Sequence, residues 1–128
     1  MSSQELRSAW FMDARALAAA SAFVHSQVAT RRATMEVNVS GLPAHWGFLV
    51  SAGLPQLVRL IERIAPTQAE VQLAELTGAI SPAVAGLLLT SPCAVDVNAP
   101  PEGTLLFAGD TAVTIEGPLW QAWILAHV

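Results

Sequence analysis

From Cys93 onward the chain is cut at short intervals by turn formers: Pro100-Pro101, Glu102-Gly103, Gly109-Asp110 and Glu116-Gly117-Pro118. The apolar runs between them are too short for helices, and glycine and proline at their ends set tight reversals, so the pattern predicts three short strands joined by turns. A chain whose last third is fixed in this way cannot be an all-helical bundle.

Upstream the texture is different. Between Ser8 and Val28 the sequence is dense in alanine, and Trp10, Leu17, Ala20, Phe23 and Val24 recur near helical spacing. This reads as one helix lying against a core. Residues 33–40 then alternate, with Ala33, Met35, Val37 and Val39 on one face and Thr34, Glu36, Asn38 and Ser40 on the other, the pattern of a strand in a half-exposed sheet. A loop through Gly41 to Gly47 follows. Leu54, Leu57, Val58, Leu60, Ile61 and Ile64 fall at spacings of three and four, opposite Arg59, Glu62 and Arg63, which predicts an amphipathic helix from Leu54 to Ile64. Thr67 and Glu70 make a capping-box pair that starts a helix to about Leu76, and Ser81-Pro82 starts another to about Leu89. Pro118 opens a last apolar segment, Leu119 to Val128, expected to be helical and without a capping glycine or a basic last turn. The order helix, strand, helices, then strands is that of an α+β domain with a small, mostly antiparallel sheet and β-hairpins.

The 128 residues fit a single domain and fall short of an eight-stranded barrel. Charged residues are only 12% of the chain, about half the usual share, and a surface so poor in charge often has part of itself covered by a partner. The long uncharged run from Leu76 to Val95 is broken by Gly78, Pro82, Gly86 and Pro92, so no membrane span is expected. The first residues do not place a basic region before an unbroken apolar one, so no signal peptide is expected and the cytoplasm is the expected location. A net charge of −4, with only Arg31-Arg32 and Arg59/Arg63 close together among the cations, argues against nucleic acid.

Few residues carry chemistry. Cys93 is the only cysteine and is expected to act as a small buried hydrophobe. His25, His45 and His127 are not at metal-ligand spacing, so no metal site is expected, and there is no phosphate loop or serine elbow. Asp110 follows Gly109 where its carboxylate can bond the turn backbone. Trp46, beside His45 in a loop of turn formers, is open to a ligand or partner, or folds back on the core. Leu119, Trp120, Trp123 and Ile124 form an apolar stripe if the last segment is helical. That stripe is either a docking surface for another subunit or ordinary core.

Three blocks in order, Arg31-Arg32-Ala33-Thr34-Met35-Glu36-Val37, Gly47-Phe48-Leu49-Val50-Ser51-Ala52-Gly53-Leu54 and Pro101 through Pro118, resemble the N-terminal domain of nicotinate phosphoribosyltransferases. The resemblance runs from about Asp13 to Val128 and implies a fold like the N-terminal domain of the nicotinate and quinolinate enzymes. It also implies an active site shared with a catalytic barrel, which this chain lacks. The ligand-facing positions it implies are Asp13, Arg15, His45, Trp46 and Phe48. The family's aspartate-leucine-tyrosine reads Asp13-Ala14-Arg15 here, its threonine-methionine reads Ala18-Ala19, and its arginine-rich stretch reads Ser40-Gly41-Leu42-Pro43. Scaffold positions match better than substrate-facing ones.

The resemblance implies no cofactor. It implies a domain or small subunit of a phosphoribosyltransferase-like enzyme in pyridine nucleotide (NAD) biosynthesis, inactive alone and completed by a barrel on a second chain, with homo-oligomers and a nicotinate-like pyridine as further expected partners. The alternative is a non-catalytic scaffold or regulatory module that kept the fold. A biotinyl or lipoyl carrier is excluded in its usual form because the chain has no lysine.

Overall fold

The two helix starts that the sequence marks with a capping hydroxyl, Thr67 and Ser81, carry their caps. The computed structural model describes residues 14–62 and 66–127. Within them lie α1 (Ala14–His25), β1 (Arg32–Asn38), β2 (Leu49–Val50), α2 (Leu54–Glu62), α3 (Gln68–Leu76), α4 (Pro82–Thr90), β3 (Asp96–Asn98), β4 (Leu105–Leu106), β5 (Thr111–Pro118) and α5 (Leu119–Leu125). At α3 the Glu70 N–H donates to the Thr67 hydroxyl while the Thr67 N–H donates to the Glu70 carboxylate at 2.7 Å, closing the capping box. At α4 the Val84 N–H donates to the Ser81 hydroxyl, with Pro82 in the first turn.

The C-terminal ends of α1 and α3 use one device. In α3 Gly78 takes φ +73°, and the amides of Gly78 and Ala79 return to the carbonyls of Glu75 and Ala74. In α1 the same place is held by Gln27 at φ +57°, with the amides of Gln27 and Val28 returning to Val24 and Phe23. The expected first helix, from Ser8 to Val28, is therefore closed at His25, and its residues before Ala14 lie outside the described residues.

The strands make a three-stranded antiparallel sheet in the order β1-β5-β3. β1 and β5 pair from Arg32↔Pro118 to Asn38↔Thr111, with a bulge between Val37 and Asn38. β5, the last strand in the chain, is thus the central one. Its Ile115 and the neighbouring Met35, Val97 and Val113 join a core with Leu17 and Ala20 of α1, Val71 of α3, Val84 and Leu88 of α4, and Trp120 and Ile124 of α5. The opposite face of the sheet is exposed, and there Arg32 donates to Glu116 at 2.9 Å and to Asp96 at 3.0 Å, one guanidinium tying β1 to both other strands. Hydrogen bonds to Glu116 and then Asp96 raise the Arg32 pKa.

Two details in the core depend on single residues. Gly117 lies where β5 passes the segment before β3: a Cβ there would stand 2.7 Å from the Ala94 carbonyl oxygen and 2.8 Å from Val95. Gln121 is buried in α5 with its amide used on both sides, accepting from the Ala94 N–H and donating to the Pro92 carbonyl, each at 2.8 Å.

One expectation is corrected here, and one element is added. Cys93 is exposed, because its segment runs over the surface before β3 begins; partial burial of its thiol still raises its pKa, opposed by a backbone hydrogen bond with Val95. β2, which pairs with β4 as Leu49↔Leu106 and Val50↔Leu105, lies between the expected loop and the expected helix, where the sequence assigns no element because two residues are too few to show alternation. α2 begins as expected at Leu54 and is described to Glu62.

Candidate functional site

The loop after β1 carries three exposed ring side chains. Val39 is buried, and its N–H and C=O bond the turn at Asp110 and Gly109, so the loop leaves the sheet from a fixed point. The Trp46 N–H donates to the Pro43 carbonyl at 3.0 Å, and His45 between them takes φ +70°, a left-handed conformation uncommon outside glycine. His45, Trp46 and Phe48 are all exposed. The loop tryptophan does not fold back on the core.

After the loop, the β2–β4 ribbon is sewn to the turns beside it. The Ser51 N–H donates to the Thr104 carbonyl at 2.8 Å and the Gly103 N–H to the Ser51 carbonyl at 2.7 Å. The Glu102 carboxylate accepts from the Gly53 N–H at 2.7 Å. At the other end of β4 the Asp110 carboxylate accepts from the Phe107 N–H at 2.7 Å, the turn role its sequence position implies. Both carboxylates are spent on backbone amides.

Between the ribbon, α2 and the tip of the sheet lies an open cleft of about 290 Å³, walled by Val39, Leu49, Leu54, Leu57, Leu106 and Val113. Ser51 is the side-chain hydroxyl on its lining, and the lining holds no ionisable side chain. Such a cleft accepts an apolar or aromatic group and offers nothing to balance a phosphate. Among the described residues no three His, Cys, Asp or Glu side chains gather into a metal site.

The other candidates fall elsewhere. Arg15 is an exposed residue in the first turn of α1, a helix packed chiefly against α5 and α4, whereas His45, Trp46 and Phe48 belong to the loop feeding the ribbon. Asp13 lies outside the described residues. At the C-terminal end, Trp120 and Ile124 are buried within the chain itself, so of the two readings of the stripe these two residues follow the core one and are not an open docking surface: α5 lies between α1 and the sheet and presents that face inward. Leu119 and Trp123 are partly buried, and Trp123 meets Phe23 edge to face with ring centroids 5.7 Å apart. Sequence reasoning missed the cleft. The apolar Leu49, Leu54 and Leu57 were visible, but not that they converge with Val39 and Val113.

No family model and no curated protein matches this chain. Among solved structures, human nicotinic acid phosphoribosyltransferase superposes with a TM-score of 0.79 at 28% identity, over 91% of this chain and 24% of that one. This chain has the fold of one part of that enzyme. The likeness to nicotinic acid phosphoribosyltransferase takes in nearly all of the α+β architecture but only about a quarter of the enzyme's own length. Among the described residues the sheets have three and two strands and form no barrel. No described helix is long and apolar enough to cross a membrane.

Proposed function

We propose that this chain is the N-terminal domain or a small subunit of a nicotinate phosphoribosyltransferase-like enzyme of pyridine nucleotide biosynthesis in the cytoplasm, inactive alone and completed by a barrel on another chain. The observation that carries this reading is the superposition on human nicotinic acid phosphoribosyltransferase over 91% of the chain. The chemistry of the surface supports it. Transfer of a phosphoribosyl group needs positioned cations for a pyrophosphate leaving group, and the apolar cleft offers none. In this reading Trp46 is the residue of the loop that reaches a pyridine, its indole covering the ring, with His45 and Phe48 beside it in sequence. Arg15, on α1 apart from that loop, and Asp13 are carried as ligand-facing candidates by the resemblance alone, the guanidinium suited to pair with a carboxylate or to stack.

The test is turnover of nicotinate with phosphoribosyl pyrophosphate by this chain, by a barrel protein encoded beside it, and by the mixture. The chain alone is expected to be inactive and the mixture active, with Trp46→Ala raising KM for nicotinate several-fold. A mixture that neither turns over nor binds nicotinate overturns the reading. A second reading, a non-catalytic scaffold, is favoured by Ala14-Arg15 and Ser40-Gly41-Leu42 standing where the resemblance implies substrate-facing residues. It predicts a stable complex with the barrel protein and no gain in turnover or pyridine affinity.

A further inference from the structure

We infer that the outward side of α3 is a docking surface for an amphipathic helix of a different protein, one that carries arginine or lysine along the edge of its apolar stripe. α3 is apolar on two sides. Val71 and Ala74 are buried, while Ala69, Leu73 and Leu76 lie on the opposite side with Gln72 among them, all exposed. Leu73 is 63% open and Leu76 86%, the two most open of the large apolar side chains described. Ala69, Leu73 and Leu76 stand at i, i+4 and i+7, the spacing at which one helix receives the apolar stripe of another. A helix that had only its own core to cover would carry polar residues there. α4, packed beside α3, holds no charged residue and leaves Ala83, Gly86 and Leu89 open as well. An open hollow of about 380 Å³ runs along Gln72, Glu75 and Leu76.

Charge selects the partner. All six arginines stand at or before Arg63, and from Ile64 to Val128 the chain has no arginine or lysine against Glu70, Glu75, Asp96, Glu102, Asp110 and Glu116. Most of these carboxylates are engaged inside the fold: Glu70 closes the α3 cap, Glu102 and Asp110 hold backbone amides, and Asp96 and Glu116 hold Arg32. The Glu75 carboxylate is exposed beside Leu76 and has no hydrogen bond or ion pair among the described residues. A cation brought there by the partner meets an uncommitted carboxylate at the rim of an apolar contact, the arrangement that sets register and partner choice between paired helices. A second copy does not supply it. α3 and α4 contain no cation, so two such faces would bring carboxylate to carboxylate. An anionic lipid surface is repelled for the same reason.

This inference does not rest on the functional reading. The probe is a capped, dye-labelled leucine–lysine peptide of about four turns, patterned as an amphipathic helix, with a leucine–glutamate peptide of the same pattern beside it. Anisotropy titration with the full chain at physiological salt is expected to saturate with the lysine peptide at a Kd on the order of tens of micromolar, and not with the glutamate one. Glu75→Lys and the pair Leu73→Ser/Leu76→Ser are each expected to weaken binding about tenfold or more, with an unchanged circular dichroism spectrum. Glu36→Lys, the same charge change at an exposed position of β1, is expected to bind as the wild type does. Amide shifts of the wild-type chain on adding the peptide are expected on α3 and α4, a readout that depends on no variant folding. Equal binding of the glutamate peptide, equal losses from Glu36→Lys and Glu75→Lys, shifts centred on the β2–β4 ribbon, or no saturation up to near-millimolar chain overturns the proposal. So does a monomer–dimer equilibrium abolished by Leu73→Ser/Leu76→Ser, or retention on anionic vesicles, because either gives the face to another occupant.

Discussion

At Gly117 and Gln27 the backbone asks opposite things of the side chain. Gly117 sits in β5 with the Ala94 carbonyl oxygen where a Cβ would go, so Gly117→Ala must push two backbone segments apart in the core. Overpacking of this kind costs about 1–3 kcal/mol, and the midpoint of urea denaturation should fall accordingly. Gln27 holds a left-handed position that glycine fills at the end of α3, and Gln27→Gly should raise stability by roughly 0.5–1 kcal/mol in the same titration. Neither effect was legible in the sequence. Gly117 stands in a Glu-Gly-Pro run that reads as a turn, while its actual service is to let β5 approach the segment before β3. Gln27 has no signal at all, because the helix end there is set by Val28 and Ala29 turning back toward Phe23.

Helix starts were the most readable elements, because a cap is a local device whose partners lie within one turn. Thr67 and Glu70 declare α3 in four residues, and the structure closes both bonds of the box. Thr67→Ala removes the hydroxyl and frees the Glu70 amide. The expected loss is about 1 kcal/mol, read as a lower thermal midpoint with native circular dichroism below it. Strands were legible where they were long or bracketed: β1 through its alternation, β3, β4 and β5 through the turns between them. β2 was not, since its pairing with β4 is set by the turn at Pro101 to Thr104 meeting Ser51, some fifty residues away in the chain. The same limit hid the cleft, whose walls come from four separate elements.

The molecule has a dense part and a lighter one. α5 packs on the sheet, α1 on α5 and α4, and α3 on α4, around residues such as Leu17, Val84, Ile115 and Ile124, all but sealed from solvent, whereas Val50 and Leu105 of the ribbon are about half exposed. Ile124→Ala should therefore cost about 2–4 kcal/mol, and Phe48→Ala less than about 0.5 in the isolated chain. Paired chemical denaturation curves check both. The sequence marked Trp120, Trp123 and Ile124 as one apolar stripe without saying whether it faces a partner or the chain's own core. That choice depends on α1 and the sheet enclosing α5 from two sides, which no local pattern records. The α+β class was legible because it follows from element order; the central place of β5 was not, because order along the chain does not give order across a sheet.

That central place bears on how the protein is made. β1 is complete at Asn38, but its partner ends at Pro118, and α1 waits for α5, which is later still. At ordinary translation rates the gap between Asn38 and Pro118 lasts roughly 4–16 s, long enough for the unpaired strand to meet other nascent chains. The helices α1, α3 and α4 can meet earlier, but the sheet cannot form until β5 has emerged, and until then Met35 and Val37 stay without the strand that pairs with theirs.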